Sequence, residues 1–334
     1  MPCRQEMSNS ARAPNGFTEA EIGRLVESLR SLHDGELGVD ALVGCGERAI
    51  SPLRDFLILG RPSVIHQPRQ RAVRALAELG AKEVLVEYLT KPRSIADPAL
   101  RLGEEAVENA AARALAAWKT DEVLKALLAV ARLRLLPGVI EALSSFGRPE
   151  VVPYLVDALG DDVARRDAER GLRAIGEAAR TALIEAARTP DPSRPRESPS
   201  SLSRRRSALR ILASLAPAPK IWPKLQPLLR DEDADIAVSV ANLALRLGPP
   251  DDQQFAARQL IQLLPTANWL LQSEIESSLL ENFQVAGAAI RREIQQRLQR
   301  AAPQAKDITL RVLLSVVRQV ESRRSSAPDT RVGA

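Results

Sequence analysis

Pairs of leucines four residues apart return along this chain at an interval that one globular core does not require. Leu53/Leu57, Leu85/Leu89, Leu124/Leu128, Leu155/Leu159, Leu183/Ala187, Leu225/Leu229, Leu260/Leu264 and Ile294/Leu298 recur at a mean interval of about 34 residues. That lies inside the range of roughly 20–50 residues typical of stacked repeats. Residues four apart share one face of a helix, so each pair marks the core-facing stripe of a short amphipathic helix. The unit is clearest in ALSSFGRPEVVPYLVDAL, residues 142–159. One helix ends, Gly147-Arg148-Pro149 breaks the chain, and Pro153 opens a second helix, in whose first turn a missing N–H costs little. Such a hairpin cannot cover its own apolar face. Its leucines, worth about 1.5–3 kcal/mol each on full burial, leave water only when neighbouring hairpins stack.

The signals between the pairs agree with this. Ala/Leu-rich helices end in glycine at ALVGCG (41–46), ALAELG (75–80), GLRAIG (171–176) and LALRLG (243–248), where a left-handed C-cap is expected. Acidic turns at Ala96-Asp97-Pro98, Asp161-Asp162 and Asp231-Glu232-Asp233 precede the next helices and suit a positive helix N-terminus. Thr18, with Glu21 three residues on, predicts a capping box ahead of an Ile22, Leu25, Val26, Leu29 stripe. Leu and Ala dominate, aromatics are only 3% of residues, and no run alternates with period two, so the expected fold is all-α: an α-solenoid of about eight helical hairpins.

The expected organisation is a flexible arm at 1–16, a single solenoid over 17–324 and a flexible tail at 325–334. Helices near 18–32 and 306–323 are expected to cap the two ends. An insertion at 188–207, with four prolines and six serines, is expected to be a loop to about residue 199, with Ser198 or Ser200 as the next N-cap. No apolar run approaches the ~18 residues of a membrane span. The N-terminus lacks the apolar stretch of a signal peptide, so the expectation is a cytoplasmic protein without membrane contact. Cys3 and Cys45 form no disulfide framework.

The segments ADPALRLGEEAVENAAARALAAW (96–118), DADIAVSVANLALRLG (233–248) and RAISPLRDFL (48–57) resemble the HEAT-repeat family, in particular the short bacterial HEAT-like repeats also found in phycobilin lyases. The resemblance covers roughly residues 36–300; the stretches 211–229 and 279–298 depart from it. It implies a stack whose second helices line a concave binding face, and it carries fold better than function.

Catalytic material is sparse. The two histidines, His33 and His66, are followed by Asp34 and Gln67. The His-Glu pairs with which the HEAT-repeat deoxyhypusine hydroxylases hold iron are therefore not matched, and no metal or other cofactor is expected. Gly44-Cys45-Gly46-Glu47-Arg48-Ala49 fits a loose dinucleotide fingerprint but has no preceding strand. Its glycines read as the repeat's own turn. Trp118, Trp222 and Trp269 are expected to pack between hairpins.

The net charge of +5 is local: residues 188–210 hold seven arginines and two acids, an excess equal to that of the whole chain. Arg204, Arg205 and Arg206, with Arg210 a turn later, predict a basic helix start able to meet an acidic partner through forked hydrogen bonds. Positions expected to be exposed on the second helices are mixed in sign: Arg54, Glu87, Lys125, Asp157, Arg180, Lys224, Arg258 and Arg292. The resulting expectation is a noncatalytic scaffold that binds another protein, one with an acidic patch. Two alternatives are nucleic-acid or polyanion binding through 188–210, which lacks aromatic residues to stack on bases, and a tetrapyrrole (bilin) lyase-like chaperone, implied only by the resemblance.

Overall fold

The structure is a computed structural model that describes residues 16–91, 93–191, 197–300 and 307–325. The arm expected at 1–16 and the tail expected at 325–334 fall, but for Gly16 and Ser325, outside these residues, as do Arg194 and Arg196 of the insertion. Among the described residues there is no strand. No described helix is long and apolar enough to cross a membrane.

The described chain divides into two compact units. The first comprises the chain through Ala158 together with Asp162–Gly171; the second comprises Leu159–Asp161 and the chain from Leu172 onward. The first unit holds α1 (Glu19–Ser28), α2 (Gly35–Gly44), α3 (Ile50–Ile58), α4 (Gln67–Glu78), α5 (Lys82–Thr90), α6 (Pro98–Leu115), α7 (Asp121–Ala131), α8 (Pro137–Ser144) and α9 (Val152–Ala158). The division falls within α10 (Arg165–Ile175). The second unit continues with α11 (Arg180–Arg188), α12 (Pro199–Ser214), α13 (Trp222–Leu225), α14 (Ala234–Leu247), α15 (Pro250–Leu263), α16 (Trp269–Glu281), α17 (Phe283–Arg300) and α18 (Ile308–Ser325).

Within each unit the helices pack in chain order, as in an α-solenoid. In the first unit α2, α4, α6 and α8 lie side by side, and so do α3, α5 and α7. In the second, α12, α14, α16 and α18 form one such row, while α11 pairs with α13 and α15 with α17. The predicted leucine pairs fall on the second helices and their ends. Leu53/Leu57, Leu85/Leu89, Leu155/Leu159, Leu183/Ala187, Leu225/Leu229 and Leu260/Leu264 are all buried. Thr18 caps α1 with the reciprocal Glu21 box, and Ser198 caps α12 by accepting from the Ser201 amide.

The periodicity misleads at four places. On α7 the buried partner of Leu124 is Leu127 rather than Leu128. On α17 the core residues are Ala286 and Ile290, while Leu298 is 55% exposed and Ile294 half-buried. The hydrophobic face of α17 therefore sits a turn earlier than the leucines suggest. The helix carrying Leu225/Leu229 is a single α-turn followed by a 3-10 segment, Gln226–Arg230. Pro227 there has no N–H to extend the α-helical ladder. Finally, Gly46, Gly80, Gly147 and Gly176 take positive φ, but Gly248 ends α14 at φ −77° and ψ 160°. The following Pro249 disfavours α-region backbone at the residue before it and holds Gly248 extended.

A recurrent hydrogen bond joins the hairpins. The last carbonyls of a helix have no intrahelical donor, and here arginines reach back to them from neighbouring elements. Arg71 donates to Leu29 O and Ser31 O at 2.9 and 2.7 Å behind α1. At the end of α3, Arg69 donates to Leu57 O at 2.7 Å and Arg93 to Gly60 O at 2.7 Å. In the second unit Arg205 caps Ala187 O at 2.8 Å, while Arg180 and Arg246 take Ala216 O and Ala213 O at 2.8 and 2.9 Å. Cations are favoured at these negative ends.

Gly147, at φ +64°, has no atom within 4 Å of where a Cβ would stand, so an added methyl meets only a conformational penalty. Gly147→Ala is expected to lower unfolding free energy by about 1–2 kcal/mol in urea titration, with helical content retained.

Candidate functional site

The basic stretch that stood out in the sequence is built into the protein. Arg205, on α12, is 3% exposed. Its guanidinium donates to Ala187 O, to Glu197 at 2.6 Å and to Asp231. Arg206 pairs with Asp233 at 2.5 Å and with Asp235 at 2.9 Å, and its hydrogen bond to Asp233 raises the guanidinium pKa. Burial alone would raise the Asp233 carboxyl pKa, but Arg206 and the Ile236 amide bring it below the ordinary value. Arg204 is half-buried and donates to Thr189 O at 3.1 Å. Only Arg210 of the four is exposed. Here the expected presentation fails: Arg205 faces inward, and the acids that match this segment come from the turn opening α14, 26 to 27 residues further on.

The second-helix candidates divide. Arg180 is buried, held by Glu177 at 2.6 Å and Ala216 O, so it is not an exposed surface position. Arg54 and Glu87 bind each other between α3 and α5 through bonds of 2.9 and 2.7 Å. Lys224 lies 4.0 Å from Glu185, between α13 and α11. Lys125 and Asp157 are exposed in the first unit, and neither lines a described cleft.

Arg258 and Arg292 are brought together. They flank a cleft of about 400 Å³ between α15 and α17. The floor is apolar, made by Ile261, Val285, Ala288 and Ala289, with Gln254, Gln262 and Gln296 along the rim. Both arginines are exposed. Arg258 gives Nε to Gln254 O at 3.3 Å on its own helix; among the described residues neither arginine has a carboxylate partner. The one acid lining the cleft, Glu293, is bound to Arg297 at 2.7 Å. Arg258 also borders a second cleft, with Arg230 and Phe255, towards the Gln226–Arg230 segment. The arrangement offers apolar contact to a side chain or helix ridge and two guanidiniums without a carboxylate partner among the described residues.

Other features were not legible in the sequence. Arg69, Glu104 and Tyr88 form a buried cluster: Arg69 makes a two-pronged contact to Glu104 at 2.5 and 3.1 Å, and the Tyr88 hydroxyl donates to Glu104 at 2.6 Å. Burial works to raise the Glu104 carboxyl pKa, yet the bonds from Arg69 and Tyr88 bring it below the ordinary value. A buried Arg and a buried Glu on two amphipathic helices signal a pair only once their faces are known. Trp222 packs as expected, with its indole N–H donating to Asp252 at 2.7 Å. Trp269 does not: it is 79% exposed at the first turn of α16 beside exposed Leu270. Among the described residues no group of three or more His, Cys, Asp and Glu is placed to hold a metal. No protein-family model matches the chain, and no curated protein matches it.

Two outcomes test these electrostatics. Removing one partner of a buried ion pair strands the other, so Glu104→Ala is expected to cost about 3–5 kcal/mol in urea unfolding. Its hydrogen bond to Arg54, with Lys91 adding, lowers the Glu87 carboxyl pKa to about 2. A depressed carboxyl pKa favours the fold above its unfolded value of about 4.3, and that contribution disappears as pH falls through the folded value. An NMR titration of the Glu87 carboxyl should show its midpoint near 2, moving up in Arg54→Gln.

Proposed function

We propose that this protein is a noncatalytic, HEAT-like scaffold that binds an acidic segment of another protein in the cleft between α15 and α17. The observation that carries the reading is the pairing of an apolar floor with two exposed arginines, Arg258 and Arg292, that have no acidic partner among the described residues. An apolar centre rimmed by polar groups is the usual composition of a recognition surface. Arginine suits the rim because its planar fork matches a carboxylate. Most arginines described above are already bonded to carbonyls or acids, whereas these two leave their terminal nitrogens to solvent. Stacked helices give such a cleft rigid walls, and preorganisation lowers the ordering cost of binding.

The reading is tested with a photo-crosslinking amino acid at exposed Ala288 on the cleft floor and, as a control, at exposed Glu83 on α5. A discrete adduct with one cellular protein is expected from position 288 and not from 83. The adduct should be lost in the Arg258→Glu, Arg292→Glu double variant, whose circular dichroism and melting should remain those of the parent. The same adducts at both positions, or an adduct unchanged by charge reversal, would sink the proposal.

A further inference from the structure

The first unit contains a different kind of cleft. It has a volume of about 520 Å³ and is lined by Arg30, Phe56, Gly60, Arg61, Pro62, Ser63, Ile65, Pro68 and Arg69. Three arginines contribute to it and no carboxylate does. They differ in how far their hydrogen-bonding capacity is used. Arg61 is exposed and has no partner among the described residues. Arg30 lays its guanidinium over the Phe56 ring, 4.9 Å from the centroid, and gives only Nε to Glu27, at 2.9 Å. Arg69 is 5% exposed, and both its terminal nitrogens are bonded, but its buried Nε–H has no acceptor. That Nε lies 4.0 Å from the point a Cβ would occupy on Gly60, and Gly60 is itself part of the cleft wall. Ser63 Oγ accepts from the Ile65 amide at 3.1 Å, which leaves its own hydroxyl hydrogen to donate.

The charge beneath the cleft points the same way. Arg69 and Arg93 both approach Glu104, at 2.5 and 3.7 Å. The remaining bonds of Arg93 go to backbone carbonyls: Leu57, Ile58 and Gly60. Two guanidiniums thus share one carboxylate. The neighbouring buried acid, Glu108, is bound to its own Arg134 at 2.5 Å. A part-buried positive charge in excess, beneath a cleft that Arg69 shares with two further arginines, is stabilised by an anion. The rest of the lining is apolar: Phe56, Pro62, Ile65 and Pro68. The cleft lies within the volume range of small-molecule sites, about 300–1,000 Å³.

We propose that this cleft binds a small organic phosphate. The phosphoryl oxygens are held by Arg30, Arg61, the Nε–H of Arg69 and the Ser63 hydroxyl, and the carbon portion rests on Phe56, Pro62 and Ile65. Phosphate is preferred to carboxylate because its dianion balances more than one of the guanidiniums and supplies enough oxygens for donors on several sides. The site is independent of the reading given to the α15–α17 cleft.

The test is calorimetric titration of the full chain at constant ionic strength with phenyl phosphate, inorganic phosphate and benzoate, alongside flotation with phosphatidic-acid and phosphatidylcholine vesicles. Saturable binding of phenyl phosphate, tighter than inorganic phosphate or benzoate, is expected. It should weaken about tenfold or more in Arg61→Gln and in Arg30→Gln, the scale of one lost charge-assisted hydrogen bond. Arg24→Gln, an exposed change on α1 outside the cleft, should leave affinity unaltered. Both cleft arginines tested are on the surface, so melting curves of the variants should match the parent. Co-flotation with phosphatidic acid alone, lost in Arg61→Gln, identifies a lipid headgroup as the phosphate source; phenyl phosphate binding without co-flotation identifies a soluble one. No saturable binding of any phosphate probe, equal binding of benzoate, or affinity indifferent to Arg30 and Arg61 overturns the proposal.

Discussion

Stacking helical hairpins buries helix ends, and a buried carbonyl without a donor is costly. The protein meets that demand with arginine. Arg69 and Arg71 in the first unit, and Arg180, Arg205 and Arg246 in the second, each cross from one helix to the carbonyls left over at the end of another, and Arg93 does so from the segment between α5 and α6. A lysine would supply one point charge, whereas the guanidinium fork can serve a carbonyl and a carboxylate together. Arg69 does so with Leu57 O and Glu104, and Arg205 with Ala187 O, Glu197 and Asp231. The leucine seams hold neighbouring helices against each other without direction; these forks fix which carbonyl meets which side chain.

This role changes the meaning of the chain's basic composition. Counted along the sequence, residues 188–210 look like an unbalanced positive segment. In space the turn Asp231-Glu232-Asp233-Ala234-Asp235 is folded against it. The opposing charges belong to adjacent hairpins, so no window of local sequence contains both. Guanidiniums without an acid among the described residues, such as those of Arg258, Arg292 and Arg61, lie away from the segment where arginines are most numerous.

What was legible in the sequence follows from the range of the interaction. The all-helical stack, the Thr18 and Ser198 caps, the left-handed turns at Gly46, Gly80 and Gly176 and six of the buried pairs rest on contacts within a few residues or on a period repeated many times. The register of α17 was not legible, because its core side is made by Ala286 and Ile290, earlier in the helix than the conspicuous Leu298, which faces solvent. The exposure of Trp269 ran against the usual burial of indole. The α15–α17 cleft joins Arg258 to Arg292 across 34 residues, and the Arg30–Arg61–Arg69 cleft joins the end of one helix, a turn and the start of another. Repeat periodicity says that helices adjoin, but not which side chains remain unspent where they meet.

The single α-turn at Trp222–Leu225 has a consequence for how the second unit opens. In a linear stack cooperativity is passed only between nearest neighbours, and it is weakest where one member has few internal bonds. With Pro223 and Pro227 both lacking an amide hydrogen, that member is held by the burial of Trp222, Leu225, Leu228 and Leu229 rather than by its own ladder. Amide exchange there reports the side-chain grip of its neighbours, so this segment acts as an internal gauge of coupling along the stack.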